Sequence, residues 1–192
     1  MKWKSVLLIR LPILLLLLVP VAAWYLVKPV RVLAPTAVGV MCPTSEVCID
    51  DPRQLDRARA LYREAENFVS ETIALPRGTP RITFCSTASC ANAFGLGARS
   101  AVTVGTFGTV IGPKAWRTYY VRHEIIHYLQ AERLGVLRLL FKPSWFVEGM
   151  AYGLSEDPRE PLAEPFETYR REFRKWFAAV GKASLWDRAA DL

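Results

Sequence analysis

The first strong signal along the chain is an apolar run. From Leu11 to Val27 no residue is charged, and Leu14 to Leu18 are all leucine. Extended back to Val6, the run holds one charge, Arg10. A helix of that length spans about 33 Å, enough for the ~30 Å hydrocarbon core of a bilayer. Pro12 and Pro20 lie inside it, and membrane helices tolerate proline. Trp24 and Tyr25 suit the far interface, with Lys28 and Arg31 just beyond, while Lys2, Lys4 and Arg10 hold the N-terminus in the cytoplasm. The pattern predicts a cytoplasmic N-terminus and single-pass transmembrane helix over residues 1–27, with the remainder periplasmic or extracellular. The competing reading is a signal peptide cleaved near Ala23, after which the rest is secreted; against it, the apolar run continues past that point through Trp24-Tyr25-Leu26-Val27.

After a proline-bearing linker, residues 28–38, the spacing of apolar positions predicts one domain over residues 39–192. Asp51-Pro52 reads as a helix start, and Leu55, Ala58, Leu61, Ala65, Phe68 and Val69 recur at helical spacing. Arg81 to Cys85 alternates as a strand does. Ala101 to Ile111 is β-rich and ends at Gly112-Pro113. A helix follows from about Ala115 to Leu134, stopped by Gly135. Val136 to Phe141 is apolar enough to predict a short buried helix, with a patch that meets the nearby bilayer as the alternative, and Ser144 can cap another. A last helix, about Pro165 to Val180, stacks Phe166, Tyr169, Phe173, Trp176, Phe177 and Val180 on one side, as core. Strands mixed with helices predict an α+β fold, and no internal repeat is visible.

Charge changes this picture little. The chain carries +7, and the anchor region holds three bases and no acid, leaving +4 for the rest. Arg170, Arg171, Arg174 and Lys175 cluster late in the chain and are expected to form a solvated helix face, with attraction to anionic lipid or a cell-surface polymer as the alternative. No recognition motif accompanies them, so nucleic acid is not an expected partner. Cysteine adds more. Cys42 and Cys48 are close in sequence, as are Cys85 and Cys90. Four cysteines allow three disulfide connectivities, of which the two local pairs are the simplest. Free thiols are the alternative, and neither spacing is the C-x-x-C of a zinc ribbon.

The chemistry concentrates between His123 and Tyr152. His123-Glu124-Ile125-Ile126-His127 is H-E-x-x-H, and these are the chain's only 2 histidines. On a helix the imidazoles fall at i and i+4, on one face and about 6 Å apart, close enough to share one zinc. Glu124, rotated by about 100°, suits a carboxylate that takes a proton from a metal-bound water. A catalytic zinc keeps three protein ligands and an open position. Glu148, in Trp145-Phe146-Val147-Glu148-Gly149-Met150-Ala151-Tyr152, offers the third. An exposed helix that carries the motif by chance is the plain alternative.

At these residues, HEIIHYLQAERLG followed by PSWFVEGMAYGLS, the chain resembles the gluzincin metallopeptidases, in particular the small peptidase MA-like domains and more distantly the aminopeptidase N group. The resemblance implies a zincin-like domain: a short mixed sheet with an edge strand beside the metal, the motif helix, a glutamate-ligand helix and a C-terminal helix. It implies Zn2+ held by His123, His127 and Glu148, with Glu124 as general base. Asn92-Ala93-Phe94 is similar to the Asn-Ala-Phe near the edge strand of thermolysin-like members, which implies substrate contacts at Asn92 and Ala93; an ordinary turn is the alternative. The strand before the motif helix would bind extended peptide by strand addition. Two departures stand out. No third histidine can serve the oxyanion, which leaves Tyr152 and Tyr169 as candidates. Thermolysin-like proteins carry an acid four residues after the ligand glutamate, where this chain has Tyr152, with Glu156 and Asp157 just beyond. The expected function is a membrane-anchored zinc metallopeptidase acting on peptide or protein substrates. The alternative is a non-catalytic zinc-binding or interaction domain of the same fold. A serine hydrolase is disfavoured by the lack of G-x-S-x-G.

Overall fold

The computed structural model describes residue 16 and residues 18–192. Four short strands form one sheet in the order β1-β2-β4-β3: β1 (Val47–Ile49), β2 (Ile82–Phe84), β3 (Ala101–Val104) and β4 (Gly108–Ile111). The pairs β1–β2 and β2–β4 are parallel, and β3 runs antiparallel to β4 with Thr103 opposite Thr109. The β-rich stretch 101–111 is therefore a hairpin, and only its first half is the edge strand. Three residues, Gly105 to Phe107, turn the chain between the two halves, and Gly105 supplies the positive φ of 53°.

Helices cover one face, with one small exception. They are α1 (Leu55–Thr72), the small α2 (Ala88–Ala93), the motif helix α3 (Thr118–Leu134), α4 (Val136–Leu139), α5 (Ser144–Leu154), α6 (Phe166–Val180) and α7 (Leu185–Ala190). The exception is α2, which lies with the other layer. In α1, Ala58, Tyr62, Ala65 and Val69 are buried, steps of three and four that lay one face on the sheet. Asp51 caps the turn before it by accepting the Arg53 N–H. The motif helix is central and nearly surrounded; Val121, Ile125, Ile126 and Leu129 are fully buried between α1, the sheet and α5. Gly135 ends it at φ +86°.

The other sheet face is covered by what the sequence marks as a linker. Lys28–Leu33 and Pro35–Val38 are 3-10 turns. Val32 and Val40 are buried with Cys48, Phe94, Leu96 and Val110. Arg81 donates to the Val32 carbonyl at 2.7 Å, and Arg31 to that of Ala93 at 2.6 Å. The disulfides Cys42–Cys48 and Cys85–Cys90 staple this same layer.

Two expectations are corrected. Among the described residues no helix is long and apolar enough to cross a membrane, so the N-terminal transmembrane helix does not stand as part of the fold. Residue 16 and residues 18–26 are helical, and the chain then turns to pack on the sheet. Val6 to Leu15 and Leu17, also in the expected span, lie outside the described residues. Val136 to Phe141 is not buried either. Leu137, Leu140 and Phe141 are 76 %, 74 % and 86 % exposed. After Gly135 turns the chain outward, a single turn of helix has one inner face. Leu139 packs there on the core, and Val136 packs against Gly105.

Candidate metal centre

The motif helix presents His123 and His127 one turn apart, with ring centroids 4.7 Å apart and Nε2 atoms 3.0 Å apart. Helix α5 crosses beneath and brings Glu148 Oε2 to 3.7 Å from His123 Nε2 and 3.8 Å from His127 Nε2. Donors of a tetrahedral zinc, at about 2.0–2.2 Å from the ion, stand roughly 3.3–3.5 Å apart. The three separations bracket that value, and two imidazoles with one carboxylate are the donor set of an open catalytic site. The residues present fit a zinc ion.

The packing that puts Glu148 there is legible in its neighbours. Trp145 sets its ring 5.9 Å from Trp176 of α6, and Phe146 sets its own 5.5 Å from the same ring. Gly149 lets α6 come close: a Cβ at this position would stand 2.3 Å from the Tyr169 carbonyl oxygen. The glycine after the ligand glutamate is thus a packing requirement.

Gln130 orients the second histidine. It is fully buried, its Oε1 is 2.9 Å from His127 Nδ1, and its Nε2 donates to the Val147 carbonyl at 3.0 Å. That second bond fixes which end of the amide faces the ring. His127 Nδ1 therefore carries the hydrogen, and Nε2 is directed at the cluster. Burial and the neighbouring His127 push His123 down to about 3. Burial opposes charge on His127 too, but the hydrogen bond and charge of Glu148 outweigh it and raise His127 to about 9. Burial would raise Glu148, and its His127 partner holds it below the usual carboxylate range instead.

Glu124 is 5 % exposed. Thr103 Oγ1 lies 2.7 Å from its Oε2 and 2.8 Å from Thr109 Oγ1, so the cross-strand threonine pair ends on this carboxylate. Burial pushes the Glu124 carboxyl up, against the lowering effects of His127 and Thr103.

A cleft of about 510 Å³ runs over the cluster. Ala101, Val102 and Thr103 of the edge strand form one wall, and Val136, Leu139 and Leu140 line it as well. Among the described residues β3 pairs only with β4, so its outer edge has no partner strand. Tyr152 lines the cleft and sets its ring against His123, centroids 4.4 Å apart. Burial and the Glu148 charge push its hydroxyl up to about 12, so it keeps its proton. Tyr169 lies on α6 beside Gly149 and does not line the cleft. Asn92 is exposed on α2, and the Ala93 carbonyl is taken by Arg31; neither lines the cleft. Glu156 pairs with Arg122, and Asp157 with Arg159.

Sequence reasoning missed Gln130, Thr103 and Arg159. Gln130 sits three residues after His127 on the same helical face, which is a readable signal. Thr103 and Arg159 depend on a hairpin and a loop that place them, and neither has a local signature. Comparison with protein-family models, curated proteins and solved structures finds no match to this chain.

Proposed function

We propose that this protein is a zinc-dependent metallopeptidase of gluzincin type, with His123, His127 and Glu148 as ligands and Glu124 as general base. The observation that carries the reading is the convergence of those three donors beside a buried carboxylate at the floor of an open cleft. Bound zinc supplies Lewis acidity, polarising a carbonyl and bringing the pKa of a water to about 7.

The chain's own groups do the rest. Glu124 accepts the proton of the attacking water and delivers it to the departing amine nitrogen. The Thr103 hydroxyl fixes its carboxylate, and burial brings its basicity towards the working pH. Gln130 keeps the His127 Nε2 lone pair on the metal side. The open edge of β3 aligns the peptide backbone, and Val136, Leu139 and Leu140 offer an apolar wall that sheds water from the cleft. Tyr152, packed on His123 and keeping its proton, is the candidate donor to a developing oxyanion. The two disulfides suit an oxidising compartment outside the cytoplasm.

A purely structural zinc module gains nothing from Glu124. A carboxylate buried with a hydroxyl as its side-chain partner costs stability, and such groups concentrate at catalytic sites. The test is to incubate the protein with a mixed peptide library, with and without a zinc chelator. Cleavage that stops with chelator and returns with added zinc is expected. A zinc-loaded protein that cuts nothing under broad screening would replace this reading with the non-catalytic one.

A further inference from the structure

Arg159 is a guanidinium in the cleft that the peptide-cleaving chemistry leaves unused. It lines the cleft together with His123, Tyr152 and Phe166. Asp157, whose side chain is 2 % exposed, holds its inner edge, with Nε 2.9 Å from Oδ1 and Nη2 2.5 Å from Oδ2. The Tyr120 hydroxyl accepts from Nη1 at 3.1 Å. The rings of Tyr119, Tyr120 and Tyr152 stand 5.5, 4.9 and 5.9 Å from the guanidinium carbon. Asp157 and Tyr120 engage three of the five N–H groups, and among the described residues the other two meet only the nearby Tyr152 hydroxyl. Tyr152 in turn packs on His123, so the fork stands one aromatic ring from the ligand cluster.

A planar fork already fixed by a buried acid is pre-organised for a carboxylate, which it meets with paired hydrogen bonds and no further ordering cost. The carboxylates that line the cleft do not compete for it, since Glu148 is engaged with the histidines and Glu124 with Thr103. A second guanidinium, Arg99, lines the cleft and, among the described residues, donates to the main-chain carbonyls of Gly95 and Leu96 alone. The cleft therefore faces substrate with two guanidinium groups, and its two carboxylates are both assigned to metal and proton work.

We propose that Arg159 anchors a substrate carboxylate, so that the enzyme acts on peptides bearing one within a residue or two of the scissile bond. The carboxylate is either the C-terminal one or an Asp or Glu side chain. The proposal rests on the peptidase reading above.

Peptide pairs test it: one pair differs only in a free or amidated C-terminus, the other only in Glu or Gln near the cut. The zinc-loaded wild type, Arg159→Gln, Arg159→Lys and the double variant Asp157→Asn/Arg159→Gln are compared by kcat and KM. The wild type is expected to favour the carboxylate member of one pair by about 10- to 100-fold in kcat/KM, mainly through KM, the range that charged hydrogen bonds command. Which pair responds tells the C-terminal carboxylate from the side chain. Arg159→Gln should cleave both members of that pair equally, and Arg159→Lys should keep part of the preference. The double variant removes the buried acid with its partner, so it reads out the same loss even if Arg159→Gln fails to fold. Equal cleavage of both pairs by the wild type, or a preference that survives in the glutamine variants, overturns the anchor while the peptidase reading stands. Absence of any cleavage by the wild type overturns the peptidase reading, and this proposal with it.

Discussion

Replacing Gln130 by leucine isolates one support of the proposed metal centre without touching a proposed ligand. Gln130 is fully buried and joins His127 Nδ1 to the Val147 carbonyl, so it ties the motif helix to the glutamate helix. Leucine keeps nearly the same volume and opens no cavity. It removes two buried hydrogen bonds, each worth about 1 kcal/mol net, and leaves His127 Nδ1–H unpaired in a dry site. Metal-free stability should fall by about 2 kcal/mol. Zinc affinity should fall further than stability alone explains, because the His127 ring loses its fixed tautomer and orientation. Partners of this kind are worth 10- to 100-fold in affinity, roughly 1.4–2.7 kcal/mol. The assay is a competition titration of zinc against a chromophoric chelator, run beside urea unfolding of the metal-free protein. Unchanged zinc affinity in Gln130→Leu, with stability lowered as expected, would reduce Gln130 to a strut between helices.

Three further predictions follow from contacts around the site. Gly149→Ala would drive a methyl into the Tyr169 carbonyl, so thermal unfolding should show a loss of about 3 kcal/mol or more, with Glu148 displaced and zinc binding impaired; a variant of wild-type stability would contradict the helix spacing. Thr103→Val keeps shape but removes the hydroxyl on Glu124, so kcat should fall about 10-fold with zinc content unchanged, and an unaltered kcat would show that Glu124 needs no such partner. Asp50 accepts hydrogen bonds from Ser86 N, Thr87 N and Thr87 Oγ1. Burial would raise its carboxyl, but these bonds hold it below its ordinary 3.8. Its stabilisation is therefore present above that value and lost as pH falls through the lowered one. Asp50→Asn should cost about 1 kcal/mol at pH 7, and the gap to wild type should close in strong acid; a pH-independent gap would show that the charge is irrelevant.

The residues that were legible in the sequence are those whose role is set by local periodicity. His123 and His127 meet because four residues make one helical turn, and the stop at Gly135 and the start at Asp51 follow from backbone chemistry alone. The hairpin inside 101–111 was hidden because both halves are equally rich in β-forming residues, and only Gly105 marks the reversal. Residues 28–38 look like a linker from their prolines, yet Val32 is buried against a sheet face, with Val38 packed beside it, and no local pattern announces this. Leu137, Leu140 and Phe141 are apolar and exposed, and hydropathy alone does not choose between a buried turn and an exposed patch there. The membrane helix rests on hydropathy alone, and among the described residues no helix is long and apolar enough to cross a membrane.

The central claim is that Glu148 holds the metal while Glu124 moves the proton. Zinc stoichiometry and peptide turnover, measured together on wild type, Glu148→Ala and Glu124→Gln, separate the two roles. Wild type should carry one zinc per chain and cleave peptide. Glu148→Ala removes one of three donors and should lose most of its zinc. Glu124→Gln keeps the shape of the side chain but cannot accept the proton, so zinc should stay near one per chain while turnover falls by about 100-fold or more. Full zinc in Glu148→Ala, or wild-type turnover in zinc-loaded Glu124→Gln, would contradict the account.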